Sequence, residues 1–286
     1  MDTEFRRGSL RCLTPGGFHR MAYVEWGDPD NRRVLVCVHG LTRTGRDFDA
    51  LARAMSKDYR VVCPDVAGRG ESGWLKNPFL YVVPTYAADM TSLIARLNVE
   101  EVHWVGTSMG GLIGMVMAAL PQTPITRLVL NDVGPVLSSA SLARIGAYLG
   151  KAPRFPSIEA AEAYVRTVSA PFGRHSDAEW RFLTETVVRS EADGSLRMHY
   201  DPAIAQPFQS GLNGKDVDLW SVYDAIRCPT LLLRGDLSDL LTNDTAMEMA
   251  RRGPKARRME FPGVGHAPTL MHEDQIAVVR EFLLER

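Results

Sequence analysis

Short, nearly unbroken apolar runs punctuate the chain, and each stops at a turn-forming residue. Val34–Val38 ends at His39-Gly40, Arg60–Cys63 at Pro64-Asp65, Val102–Val105 at Gly106, and Arg127–Leu130 at Asn131-Asp132. Thr230–Leu233 ends at Arg234-Gly235, and Arg257–Phe261 at Pro262-Gly263. Runs this short without polar alternation predict strands buried on both faces of a parallel sheet. Between them, Phe48–Met55, Tyr86–Leu97, Met109–Ala119, Asn243–Arg251 and Glu273–Leu284 carry apolar residues at helical spacing. Strand alternating with helix predicts right-handed βαβ units with helices on both faces of the sheet, an α/β fold. Arg20–Trp26 is expected to pair with Ser9–Leu13 as an antiparallel edge hairpin.

The rhythm breaks once. Residues 134–227 offer no strand-like run, only helical patterns such as Ser141–Leu149, Ile158–Ser169 and Asp177–Arg189 between Pro- and Gly-containing turns. The strand rhythm resumes at Cys228-Pro229. The expected organisation is one α/β core, residues 1–133 and 228–286, interrupted by a helical insertion, residues 134–227.

Composition narrows the partners. Apolar residues make up 45% of the 286, enough for a sizeable core. Lys and Arg total 33 against 34 Asp and Glu, so no basic excess exists to hold nucleic acid. No apolar stretch is long enough to span a membrane. Met1–Gly17 has three arginines with no apolar run after them, unlike a secretory signal. The four cysteines, Cys12, Cys37, Cys63 and Cys228, form no CxxC pair and read as reduced thiols of a cytoplasmic protein. A small-molecule substrate and a monomer or homodimer fit this balance.

The strongest chemical signal is Gly106-Thr107-Ser108-Met109-Gly110, a G-x-S-x-G sequence between a strand and a helix. A sharp turn there holds the central serine Oγ above the sheet edge, and small flanking residues let strand and helix approach. A serine nucleophile needs a base. His266, in Gly-Val-Gly-His266-Ala-Pro, lies in a turn between the last strand and the last helix. The base needs an orienting acid at the end of an intervening strand. Asp239, in the loop after Thr230–Leu233, is the favoured reading, and Asp132, ending the preceding strand, is the alternate. Asp236 reads as turn-forming. Backbone N–H groups of Leu41, in the loop after the first core strand, and Met109 would meet the developing oxyanion. His39 reads as structural.

Other patterns carry less. Gly68-Arg-Gly70-Glu-Ser-Gly73 fits a dinucleotide fingerprint, but no helix opens after it. Gly40–Gly45 resembles a phosphate loop, but Arg46 and Asp47 replace the required Lys and Ser/Thr. His19 and His272 read as surface positions, and His103 begins a strand. His175 and His199 read as solvated positions of the insertion. No metal-ligand spacing is present, so neither metal nor cofactor is expected.

These motifs resemble the α/β-hydrolase superfamily. His39-Gly40, Pro64-Asp65 with Gly68–Ser72, the serine turn, the 235–239 loop and Gly265-His266 carry the likeness over nearly the whole chain. The resemblance implies an α/β-hydrolase fold, a serine hydrolase activity and a helical cap formed by the insertion. The layout is similar to the branch of carboxylesterases, enol-lactonases and meta-cleavage-product hydrolases. Many relatives place the acid three residues after the strand-ending Gly. That position here is Ser238, and others use the position of Asp132.

The expected activity is hydrolysis of a small ester, lactone or related carbonyl compound through an acyl-enzyme. A carbon–carbon bond hydrolase would use the same residues. A non-catalytic ligand-binding protein on this fold, or an acyl transferase, are the readings of other classes. Arg43, Arg46, Arg144, Arg174 and His175 are candidates to bind a substrate carboxylate.

Overall fold

The computed structural model describes residues 5–285. The chain opens with β1 (Phe5–Thr14) and β2 (Gly17–Trp26), then β3 (Val34–Val38), α1 (Asp49–Met55) and β4 (Arg60–Pro64). It continues with α2 (Val83–Leu97), β5 (Val102–Thr107), α3 (Met109–Ala118) and β6 (Ile125–Asn131). A long intervening stretch holds β7 (Val136–Leu137), α4 (Ser139–Tyr148), β8 (Arg154–Phe155), α5 (Ile158–Val168) and α6 (Asp177–Glu185). It goes on through β9 (Val188–Ser190), β10 (Leu196–Met198), α7 (Ala205–Gly211), β11 (Val217–Asp218) and α8 (Trp220–Ala225). The chain closes with β12 (Thr230–Gly235), α9 (Asn243–Met249), β13 (Arg257–Phe261) and α10 (Glu273–Leu284).

Eight strands form the main sheet in the order β1-β2-β4-β3-β5-β6-β12-β13. From β4 to β13 neighbours run parallel, while β2 pairs antiparallel with both β1 and β4. The edge hairpin is longer than its sequence pattern suggested, with pairs from Phe5↔Trp26 to Thr14↔Gly17. Alternation along β3 shows how the core is divided. Val34, Val36 and Val38 face α2 and α3, packing with Met90, Leu93 and Ile113. Leu35 and Cys37 face α1 and α10, packing with Leu51, Met55, Val279 and Phe282. A strand covered on both sides gains nothing from polar alternation, hence its unbroken apolar run.

Chain order along the sheet reverses at β3, with β4 on one side and β5 on the other. The loops leaving β3 and β5 therefore diverge at the carboxyl edge and open a crevice, the place where ligands bind in open α/β sheets.

The intervening stretch is not purely helical, contrary to the sequence expectation. β8, β10 and β9 form a three-stranded antiparallel sheet, and β7 pairs with β11. Each strand has only two or three residues, too few for a period to show. Asp193-Gly194 between β9 and β10 was the available signal, with Gly194 at φ 81° turning the hairpin. The stretch docks on the core through backbone groups. Gly70 N–H donates to His199 O at 2.8 Å, and Asp201 N–H to Gly68 O at 2.7 Å.

Candidate active site

The turn from β5 to α3 places Ser108 at φ 52° and ψ −116°, a strained conformation for a residue with a side chain. Close packing enforces it. A Cβ on Gly106 would lie 2.2 Å from Gly110 O, and one on Gly110 would lie 1.9 Å from Val38 O. Only glycine lets strand, turn and helix approach this closely. Asn131 O accepts the Ser108 N–H at 3.0 Å and ties the turn to the neighbouring strand.

Three side chains meet there. Ser108 Oγ–H donates to His266 Nε2 at 2.9 Å. His266 Nδ1–H donates to Asp132 Oδ2 at 2.7 Å, and this carboxylate partner fixes the proton on Nδ1. Asp132 is fully buried and sits at φ 54° immediately after β6. Its Oδ1 accepts Gly235 N–H at 3.0 Å, and its Oδ2 also accepts Ser238 Oγ–H at 2.5 Å.

The favoured acid of the sequence reading is elsewhere. The Asp239 side chain is half-exposed and forms an ion pair with Arg144 at 2.6 Å. Asp236 accepts Gly263 N–H at 2.8 Å, a turn-forming role as expected. The loop after β12 curls so that its backbone and Ser238, rather than an acid, reach the histidine's partner. The position that holds the acid in many relatives is thus occupied by a donor to Asp132.

Leu41 and Met109 flank the serine from the two diverging loops. Among the described residues neither backbone N–H donates to a turn or loop carbonyl. Sequence reasoning missed what steadies them. Arg69, fully buried, donates to Leu41 O at 2.8 Å, to Ala67 O at 2.7 Å and to Tyr86 Oη at 2.8 Å, and meets Met109 Sδ at 3.4 Å. Its signal was the Gly-Arg-Gly turn after β4, where Tyr81 fills the space a Cβ on Gly68 would need. His39 is structural as expected. Its Nδ1–H donates to Gly40 O at 2.7 Å and its Nε2 accepts Val66 N–H at 2.9 Å. Burial holds its pKa down at about 3.

Two histidines depart from their expected exposure. His19 is buried against Asp89, 2.8 Å away. The His175 imidazole is completely buried. Burial, with His272 nearby, holds His175 below the ordinary histidine range. His272 keeps a partly exposed ring, 3.3 Å from Glu179.

A cavity of about 100 Å³ opens over Ser108 and His266, walled by Leu41, Arg144, Ile145, Tyr148 and Phe172. A roomier cleft of about 410 Å³ lies among Thr44, Arg46, Glu185 and Arg189, but it shares no residue with Ser108, His266 or Asp132. Of the arginines proposed for a substrate carboxylate, Arg43 and Arg144 line the serine's cavity. Arg43 is already held by Asp47, and Arg46 by Asp49. Arg174 is exposed.

The fold and site match known proteins. The α/β hydrolase fold family matches residues 33–272. The chain belongs to that family, and it is an ester-cleaving hydrolase. It is similar to a 3-hydroxybutyrate-oligomer hydrolase from Cupriavidus necator, with 52% identity over 99% of each chain. A pimeloyl-[acyl-carrier protein] methyl ester esterase from Photobacterium profundum is 26% identical over 90% of this chain and 97% of its own. The crystal structure of an α/β hydrolase from Novosphingobium aromaticivorans superposes with a TM-score of 0.88 at 33% identity, covering 98% of both chains. Among the described residues, no helix is long and apolar enough to cross a membrane.

Proposed function

We propose that Ser108, His266 and Asp132 are the catalytic triad of a hydrolase for short oligomers of 3-hydroxybutyrate. In this reading residues 134–227 form the cap over the substrate, and the Leu41 and Met109 N–H groups form the oxyanion hole. The observation that carries the chemistry is the continuous hydrogen-bonded chain from Ser108 through His266 to Asp132. The substrate class is supported by the similarity to the Cupriavidus necator enzyme over the full length of both chains. It is also supported by the form of the cavity, whose walls are apolar at Leu41, Ile145 and Phe172 with Arg144 alongside. A hydroxybutyrate chain is a short aliphatic ester with one free carboxylate. Arg144 binds that carboxylate in exchange for Asp239.

Ser108 Oγ attacks the ester carbonyl carbon while its proton passes to His266 Nε2. Negative charge gathers on the carbonyl oxygen, where two N–H donors each contribute about 2.7–4 kcal/mol of transition-state stabilisation. The ester C–O bond breaks, and His266 hands the proton to the departing hydroxyl of the next unit. Water, deprotonated by the same histidine, then cleaves the acyl-enzyme and returns the serine. Asp132 keeps the imidazole oriented and stabilises its charged form. The enzyme works in the reducing cytoplasm, a placement supported by its four unpaired cysteines.

The test is release of monomer from the 3-hydroxybutyrate dimer and trimer, measured by chromatography, beside hydrolysis of p-nitrophenyl butyrate. Ser108→Ala is expected to lower kcat on all three by about 10⁶-fold. Full turnover by the variant would overturn the triad. Cleavage of the nitrophenyl ester without cleavage of either oligomer would overturn the substrate class alone.

A further inference from the structure

The buried imidazole of His175 lies beside two other groups that hold metals elsewhere in proteins. We propose that His175, Glu179 and His272 form a site for a divalent transition metal, with Zn²⁺ as its model ion, that clasps residues 134–227 to the core. Each residue offers one ligand atom, and these atoms all lie within 4.8 Å of one another. His272 Nε2 is 3.3 Å from Glu179 Oε1, and His175 Nδ1 is 3.8 Å from Glu179 Oε2. Ligands bound to Zn²⁺ at about 2.0–2.1 Å in a tetrahedron stand about 3.3–3.4 Å apart, so a pair at the 4.8 Å limit must close by about 1.4 Å for the cluster to hold an ion.

The independent observation is His175 itself. Its side chain has no solvent exposure, and neither ring nitrogen has a hydrogen-bond partner of good geometry, although the Phe172 carbonyl lies near enough to act on the ring. Buried polar atoms are almost always satisfied, and an unsatisfied one calls for an explanation such as an ion. The ring is held in place by Trp180, edge-on at 5.2 Å, and by His272, whose ring centre is 4.8 Å away. Glu179 is divided between two tasks. Its Oε2 accepts the Ser176 N–H at 2.7 Å and Oγ–H at 2.8 Å in the capping box of α6, which leaves Oε1 directed at His272.

Placement gives the site a consequence. His175 and Glu179 belong to the intervening stretch, whereas His272 caps α10 of the core. Phe172, three residues before His175, walls the serine's cavity, and Gly265 N–H, beside His266, donates to Pro171 O at 2.6 Å. An ion here joins the two parts of the molecule next to that wall. Three protein ligands leave a fourth position for water. The sequence hid the site because His272 is brought in from the far end of the chain.

The experiment is Zn²⁺ titration of tag-free full-length protein by calorimetry, with thermal unfolding and Co²⁺ absorption alongside. Wild type is expected to bind one equivalent of Zn²⁺, to unfold at higher temperature with it, and to give the visible bands of four-coordinate Co²⁺. His272→Ala, at a partly exposed ring, and Glu179→Gln, which retains the capping box, should each weaken binding at least tenfold and abolish the thermal shift. Absence of binding to wild type overturns the proposal. So does equal binding by wild type and His272→Ala, which would put the ion elsewhere. None of these readouts depends on esterase activity.

Discussion

β6 and β12 lie side by side in the sheet, and each runs into an acidic loop at the same edge. The two loops end up with opposite duties. The one after β6 turns at once, and Asp132 drops into the interior at a left-handed backbone position. The one after β12 is longer, leaves Asp239 on the surface with Arg144, and sends Gly235 N–H and Ser238 Oγ–H inward. One strand supplies the carboxylate and its neighbour supplies the donors that hold it. The carboxylate that reaches His266 is the one that is buried and met by convergent donors.

The largest expected effect tests this division. Asp132→Asn should lower kcat by about 10⁴-fold on a short ester, because the amide no longer fixes the histidine tautomer. Loss of that size from Asp239→Asn, with Asp132→Asn unimpaired, would reverse the assignment. A sharper version exchanges the duties. In the double variant Asp132→Asn with Ser238→Asp, the carboxylate returns from the β12 loop. Recovery of roughly 10–100-fold over Asp132→Asn alone is expected in kcat, set against the fixed-geometry demand on such groups. No recovery would mean that the β12 loop can present donors but not an acid.

A smaller effect concerns two histidines, His103 on β5 and His39 just after β3. Burial holds His39 at about 3 and His103 at about 4, against an ordinary value of 6.5. The unfolded chain therefore takes up protons that the folded chain refuses. Stability is full above about pH 6.5 and falls as the pH drops toward these values. His39 alone contributes a slope of about 1.4 kcal/mol per pH unit. Urea midpoints measured from pH 7 to pH 5 should decline, less steeply than the histidines alone would give because burial raises Asp65 to about 6 and the folded chain takes up a proton in the same window; a rise would overturn the reading. The smallest effect is at the surface acid. Asp239→Asn should leave kcat on p-nitrophenyl butyrate within about threefold, since an exposed ion pair contributes about 0–1 kcal/mol.

Much of this was legible in the sequence because it was local. The strand Val34–Val38 announces itself by its own residues, and so does the serine turn, where Gly106 is demanded by its contact with Gly110, although Gly110 is demanded by Val38 on the neighbouring strand. His266 was legible from chain order and its Gly-flanked turn. The acid was not, because the choice between Asp132 and Asp239 depends on donors arriving from the next strand in the sheet. Arg69 was hidden for the same reason, since it joins Leu41, Tyr86 and Met109 from three separate elements. The short strands β8, β9 and β10 were hidden by their length. The buried state of His19 and His175 could not be read because each depends on a partner far along the chain.

The ladder of β7 and β11 has a wider consequence. Leu137 pairs with Val217 and Val136 with Asp218, and Leu219 N–H donates to Pro135 O at 2.7 Å. The stretch between them thus leaves the sheet and comes back through one narrow gate, its two ends zipped together. Seen this way it is a cassette. Its length and contents can be rewritten while β6 and β12 remain adjacent, so if the stretch is the proposed cap, the machinery that breaks a bond and the walls that choose which molecule is broken can evolve on separate schedules.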